Sequence, residues 1–164
     1  MVRRRTFLKL GLAGGALLAA GGAASWLAVR DPVSNRREVL AGVVPAILDG
    51  ALPADAAQRA AAIGQATAAV EAAIAALSPA AQDELAQLFA LLALAPTRLA
   101  LAGLAQPWRE AGVAEVSAVL QRWRTHRLEL LQSAYHALHD LVAGSWYAEP
   151  AHWAAIGYDG PPRL

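Results

Sequence analysis

The feature that most constrains this fold is a helical repeat of apolar side chains in the last third of the chain. From Ala114 onward these side chains recur every three or four residues, the spacing that places them on one face of an α-helix. With Arg127 as the single charged interruption, the members of this face are Val116, Val119, Leu120, Trp123, Arg127, Leu130, Leu131, Ala134, Leu138, Leu141 and Val142. The pattern predicts one long C-terminal helix with a buried face, followed by an aromatic tail that reaches Tyr158.

The remainder of the chain also favours helix. Ala and Leu, the strongest helix formers, are abundant throughout, and no segment resembles a convincing strand. A length of 164 residues suits one modest domain. We therefore expect an all-α, compact helical domain of about five helices over residues 31–164, preceded by a signal segment over residues 1–30.

Local signals set the expected boundaries of the first helix. Asn35 and Glu38 have the spacing of a capping box, so the helix is predicted to begin at Asn35. Pro45 lies inside the apolar repeat and should kink the helix or mark its end.

Further signals divide the middle of the chain. Asp55 is the expected cap of an Ala-rich second helix that ends near Leu77. Ser78 followed by Pro79 marks the start of a third helix, which Pro96 should end. Leu88–Leu104 is apolar enough to form the centre of the core. Because Pro96 and Arg98 interrupt it, a membrane span is not the favoured interpretation.

The first 30 residues have the composition of a targeting segment. A basic stretch is followed by an uncharged run from Leu10 to Val29, and the stretch resembles the twin-arginine export signal, Arg-Arg-x-Phe-Leu-Lys. The matching residues are Arg4, Arg5, Phe7, Leu8 and Lys9. This signal predicts export to the periplasm in a folded state, and the alternative is an ordinary secretory signal. We expect cleavage in the run of small residues. Since the uncharged run is about long enough to cross a bilayer, retention as an N-terminal membrane anchor stays open.

Composition excludes several chemistries. The chain has no Cys, which rules out disulfides, thiolate metal sites and covalent haem attachment through Cys-x-x-Cys-His. Residues 31–164 contain nine basic and thirteen acidic residues, a balance of −4, which argues against nucleic-acid binding.

Two clusters on the predicted C-terminal helix need an interpretation. His136, His139 and Asp140 could meet a metal ion, with His152 or Glu149 as a further ligand, but the spacing matches no strong zinc motif and a structural role is favoured. In a second cluster, Arg122, Arg124 and Arg127 flank Trp123; solvent exposure, or pairing with Glu115 or Glu129, is favoured over docking of a partner. No arrangement of catalytic side chains is evident, so we expect no catalytic, cofactor-binding or metal site.

The end of the chain carries a family resemblance. The segments concerned are Tyr135–Leu141, Gly144–Tyr147, Pro150, Trp153 and Ile156–Pro162, together with Glu38–Pro53 and Leu85–Leu104. In order and type these residues resemble the small subunits of membrane-associated flavin dehydrogenases, the gluconate 2-dehydrogenase subunit three family and related twin-arginine-leader proteins. One departure is Asp159-Gly160, where the family more often has Pro-Gly. The short body and Ala-rich second helix also depart, which leaves open a subgroup whose partner is not a sugar dehydrogenase.

The resemblance implies a non-catalytic subunit. In this family the small subunit binds a large FAD-dependent subunit of the glucose–methanol–choline oxidoreductase type and carries it through the twin-arginine translocation machinery. A cytochrome c often forms a third subunit. FAD is then expected in the partner and not in this chain. The residues expected at the partner interface are Trp146, Tyr147, Pro150, Trp153, Ile156, Gly157 and Tyr158. The alternative is a stand-alone periplasmic metal-binding protein or a membrane-anchored helical protein.

Overall fold

The structure, a computed structural model, describes residues 31–158 and 160. These residues form six α-helices and one 3₁₀ helix. The helices are α1 (Pro32–Ile47), α2 (Ala56–Ala75), α3 (Pro79–Ala93), α4 (Ala95–Ala102), α5 (Val113–Arg124) and α6 (Glu129–Tyr147), followed by the 3₁₀ helix Pro150–Ile156. These described residues contain no strand, so the all-α prediction is confirmed.

The first helix begins earlier than the sequence predicted. Its cap is Asp31, whose Oδ1 accepts the backbone N–H of Ser34 at 3.0 Å, and Pro32 occupies the first turn, where its missing N–H costs nothing. The capping box at Asn35 was therefore wrong. Glu38, its supposed second member, bonds instead to a distant loop at Trp108. Pro45 lies in the last turn, and α1 ends two residues later.

The caps of the next two helices are those predicted. Asp55 Oδ1 accepts the N–H of Gln58 at 2.9 Å, and Ser78 Oγ accepts that of Ala81 at 3.4 Å, with Pro79 at the first helical position. Helix α2 ends at Ala75, slightly before the expected end at Leu77. Local chemistry therefore determines these boundaries.

Helices α3 and α4 meet at a sharp bend of 87°. Pro96 lies in the first turn of α4, so it starts this helix, whereas α3 has already ended at Ala93. Within residues 31–158, no single helix is long and apolar enough to cross a membrane. Only the bent α3–α4 pair would qualify by length and composition if its two parts were taken together.

The predicted long C-terminal helix is two helices, which corrects the sequence prediction. Helix α5 ends at Arg124 and α6 begins at Glu129. In the turn between them the N–H of Leu128 donates to His126 Nδ1 at 3.0 Å, and the side chain of Gln132 donates to the His126 carbonyl at 2.6 Å. Arg127, the charged interruption of the apolar pattern, lies in this turn and is exposed.

The core is centred on α1, which packs against α2, α3, α5 and α6. Its side chains Val39, Leu40, Val43 and Val44 are fully buried. Several residues of Leu88–Leu104 are buried as well, and those in α3 pack against this central helix. One contact requires glycine: a Cβ on Gly42 would lie 2.4 Å from the carbonyl oxygen of Trp108. The absence of a side chain there allows the 107–111 loop to lie directly on α1.

Candidate interaction surface at the C-terminal tail

The tail after α6 is held by its own aromatic side chains. The last carbonyls of a helix have no partner within that helix. Here His152 Nδ1–H donates to the Trp146 carbonyl at 2.7 Å, and Trp153 Nε1–H donates to the Tyr147 carbonyl at 2.8 Å. The side chains of His152 and Trp153 thus cap α6, and their two bonds fix the position of the 3₁₀ helix.

Ring contacts extend this arrangement outward. The imidazole of His152 stacks on the indole of Trp146, with centroids 3.5 Å apart and planes 3° from parallel. Trp153 meets the ring of Tyr158 edge-on at 5.2 Å. Gly160, at a φ of 96°, lies so close that a Cβ there would be 3.1 Å from the Trp153 ring. The stacking and the close glycine together make a small, ordered aromatic unit.

The seven residues predicted at a partner interface differ in exposure. Trp146 is buried in the core, and within the described structure its indole N–H has no acceptor, so the ring is held by packing. Tyr147 and Trp153 are half-buried, and Pro150 and Gly157 are exposed. Ile156 is 54% exposed and Tyr158 46%. The surface that this tail offers therefore consists of Pro150, Ile156, Gly157 and Tyr158, with Trp146 as its buried base.

The histidine cluster on α6 does not form a metal centre in the described residues, where no three His, Cys, Asp or Glu side chains are placed to hold a metal ion. His139 Nδ1 lies 3.3 Å from Asp140 Oδ1. The rings of His136 and His139 both contact Tyr135, at 5.2 and 5.5 Å between centroids. His152, the expected further ligand, faces Trp146 instead.

The arginine cluster lies at the end of α5. Arg122 donates to the carbonyl of Ala102 at 2.7 Å, and the indole of Trp123 donates to the carbonyl of Leu101 at 2.9 Å. All three arginines are exposed, as the first of the two favoured interpretations predicted. The alternative pairing with Glu115 is absent, because this carboxylate accepts a bond from Gln106 at 2.7 Å. Nor is any pairing of the cluster with Glu129 present among the described residues.

Arg98 was not predicted to have a structural role, yet it is 6% exposed. Its guanidinium donates to the carbonyls of Ala93, Leu104 and Ala105 at 3.0 to 3.3 Å. It thereby satisfies the carbonyls at the α3–α4 bend and after α4.

An open groove of about 570 Å³ beside Arg98 is lined by polar side chains from the start of α1, including Arg37. Among its charged side chains, Arg109 bonds to Glu38 at 3.3 Å, and Arg37 pairs with Glu71 outside the groove. The groove shows no catalytic arrangement.

Comparison with known proteins gave no match among family models, curated proteins or solved structures. The resemblance to dehydrogenase small subunits therefore depends on the sequence segments that carry it, chiefly Tyr135–Leu141, Gly144–Tyr147 and Ile156–Pro162. The predicted export-signal residues Arg4, Arg5, Phe7, Leu8 and Lys9 lie outside the described residues.

Proposed function

We propose that this protein is a non-catalytic small subunit that binds a large FAD-dependent dehydrogenase of the glucose–methanol–choline type and is exported with it through the twin-arginine pathway. The observation that carries the proposal is the combination of an Arg-Arg-x-Phe-Leu-Lys signal at Arg4–Lys9 with the aromatic tail at the other end of the chain. FAD belongs to the partner in this account.

The geometry of the tail supports a docking role. Ile156 and Tyr158 expose apolar surface, while the backbone beneath them is fixed by the bonds of His152 and Trp153 to α6. Aromatic and apolar anchors on a rigid base lose little conformational entropy on binding, and such anchors dominate the energetics of interfaces. The large subunit would cover these two side chains.

The export pathway supports the same assignment. A flavoenzyme must fold around FAD before it can be exported in active form, and the twin-arginine pathway transports folded proteins. A small subunit that carries the signal and holds a folded partner meets both conditions. The periplasm is the proposed location.

Deletion of this protein from its host tests the export role. We expect the flavoenzyme partner to remain in the cytoplasm of the deletion strain and to return to the periplasm when the wild-type chain is restored. An Arg4→Lys/Arg5→Lys variant should bind the partner and fail to export it. Normal export of the flavoenzyme in the deletion strain would refute the proposal.

A further inference from the structure

The end of α5 and the turn that follows it carry three exposed cations and an exposed leucine. The sequence from 122 to 128 is Arg-Trp-Arg-Thr-His-Arg-Leu, and all three arginines are exposed. Leu128 is 52% exposed, and among the described leucines only Leu77 and Leu99 are exposed as well. We refer to Arg122, Arg124, Arg127 and Leu128 as the basic turn.

Two of the three charges of the basic turn have no partner within the described fold. Elsewhere among residues 31–158 the arginines other than the buried Arg98 pair with carboxylates, for example Arg37 with Glu71 at 3.4 Å and Arg59 with Asp49 at 2.8 Å. Within residues 31–158, by contrast, the guanidinium groups of Arg124 and Arg127 make no hydrogen bond or ion pair, and that of Arg122 contacts only a backbone carbonyl. The basic turn is therefore a local cationic surface on a chain that from residue 31 onward carries a balance of −4.

A second exposed leucine lies on the neighbouring helix. That helix is α4. Arg122 and Trp123 donate to its last carbonyls, and these bonds place α4 against the end of α5. Leu99 on α4 is 56% exposed. Side chains of this kind beside arginines have the composition of a surface that enters the headgroup region of a bilayer.

The basic turn also lies at the end of the domain where the described chain begins. Helix α5 runs antiparallel to α1, because Ser117 near its start bonds to Ala46, whereas Trp123 near its end packs on Trp108, whose N–H bonds to Glu38. The uncharged run over residues 10–29 therefore joins the domain at the end that carries the basic turn. The aromatic tail lies beyond the far end of α6, about 28 Å away along a 19-residue helix.

We propose that the basic turn, with Leu99, docks on a bilayer that contains anionic phospholipid. The arginines would meet the lipid phosphates and the two leucines the apolar boundary. Docking through the basic turn leaves the aromatic tail directed away from the bilayer. The tail can therefore bind a partner while the basic turn is bound to the membrane. The proposal does not depend on the identity of that partner.

Partition of the full chain onto lipid vesicles tests the charge contribution. The vesicles are phosphatidylcholine with or without phosphatidylglycerol. With phosphatidylglycerol, Arg124→Gln/Arg127→Gln should partition about 25-fold more weakly than wild type at low salt, and each single variant about fivefold more weakly. The matched control Arg59→Gln removes one charge on α2, where Arg59 pairs with Asp49 just beyond the C-terminal end of α1. This variant should bind the vesicles as wild type does. Equal binding of the double variant and wild type would overturn the proposal, as would an equal loss in Arg59→Gln.

A second measurement locates the contact independently of the N-terminal segment. Since the chain has no Cys, Leu128→Cys provides a unique site for a polarity-sensitive fluorophore, and Ile156→Cys provides a control of nearly the same exposure. The emission of the label at 128 should shift to the blue when phosphatidylglycerol vesicles are added, and that at 156 should not. An unshifted label at 128, or equal shifts at both sites, would contradict docking through the basic turn.

Discussion

The imidazole of His152 lies flat on the indole of Trp146, 3.5 Å away, and the same ring donates a hydrogen bond to the carbonyl of Trp146. One side chain thus closes the C-terminus of α6 and covers the last large residue of its buried face. The tail is consequently attached to the core through Trp146, while Ile156 and Tyr158 stay about half exposed.

This relationship predicts that His152→Ala loosens the tail. Loss of the stacking and of the bond to the Trp146 carbonyl should lower the free energy of unfolding by about 1–2 kcal/mol. Urea denaturation followed by tryptophan fluorescence measures the change. The matched control His136→Ala, at an exposed position on α6, should change it by less than about 0.5 kcal/mol. Equal effects of the two substitutions would mean that the stacked pair does not hold the tail.

Two glycines should respond to alanine with opposite signs. Gly42→Ala forces a methyl group against the Trp108 carbonyl and should destabilise by about 1–3 kcal/mol. Gly64 in α2 has nothing within 4 Å of the position of a new Cβ, so Gly64→Ala should stabilise by about 0.5–1 kcal/mol. Thermal or urea unfolding compares them. A neutral Gly42→Ala would show that the 107–111 loop does not approach α1 this closely.

The buried guanidinium of Arg98 should be indispensable at the α3–α4 bend. Arg98→Met preserves much of the side-chain volume but leaves three carbonyls without their donor, and it should cost about 3 kcal/mol of unfolding free energy. Arg98→Lys should recover only part of this loss, because the three donors of an ammonium group share one nitrogen, whereas Arg98 reaches the three carbonyls from three separate nitrogens. Full recovery by lysine would indicate that only the charge matters.

Local chemistry explains what the sequence could predict. Asp55, and Ser78 with Pro79, act within one turn of helix, so their roles can be recognised from neighbouring residues. The turn at residues 125–128 contains no glycine or proline, and its bonds use His126 and Gln132, residues with no strong turn preference. Arg127 was the available signal, since it alone interrupted the apolar face, and it lies in that turn.

Contacts between distant segments explain what could not be predicted. Gly42 and Trp108 are separated by about half of the length of the domain, and nothing near either residue indicates that they meet. Glu38 has the spacing of a capping box but bonds to Trp108 and Arg109, at 2.9 and 3.3 Å. For the tail, the aromatic composition predicted burial or docking, and the folded arrangement assigns burial to Trp146 and exposure to Ile156 and Tyr158.

Substitutions on the exposed side of the tail should separate partner binding from folding. Ile156→Asp and Tyr158→Asp alter side chains that are about half exposed, so each should change the free energy of unfolding by less than about 1 kcal/mol. Each should weaken binding of the large subunit at least tenfold, since a charge would be buried at the interface. Binding is measured by titration of the large subunit, with Leu77→Asp as a control that is exposed outside the tail. Unchanged affinity in both tail variants would place the interface elsewhere.

The most direct test of the central claim is a pull-down of the tagged protein from its own host, with an absorbance spectrum of the eluate. We predict a stoichiometric large partner with the spectrum of bound flavin, and its loss in Ile156→Asp/Tyr158→Asp. A lone, colourless protein in the wild-type eluate would contradict the assignment as a dehydrogenase subunit.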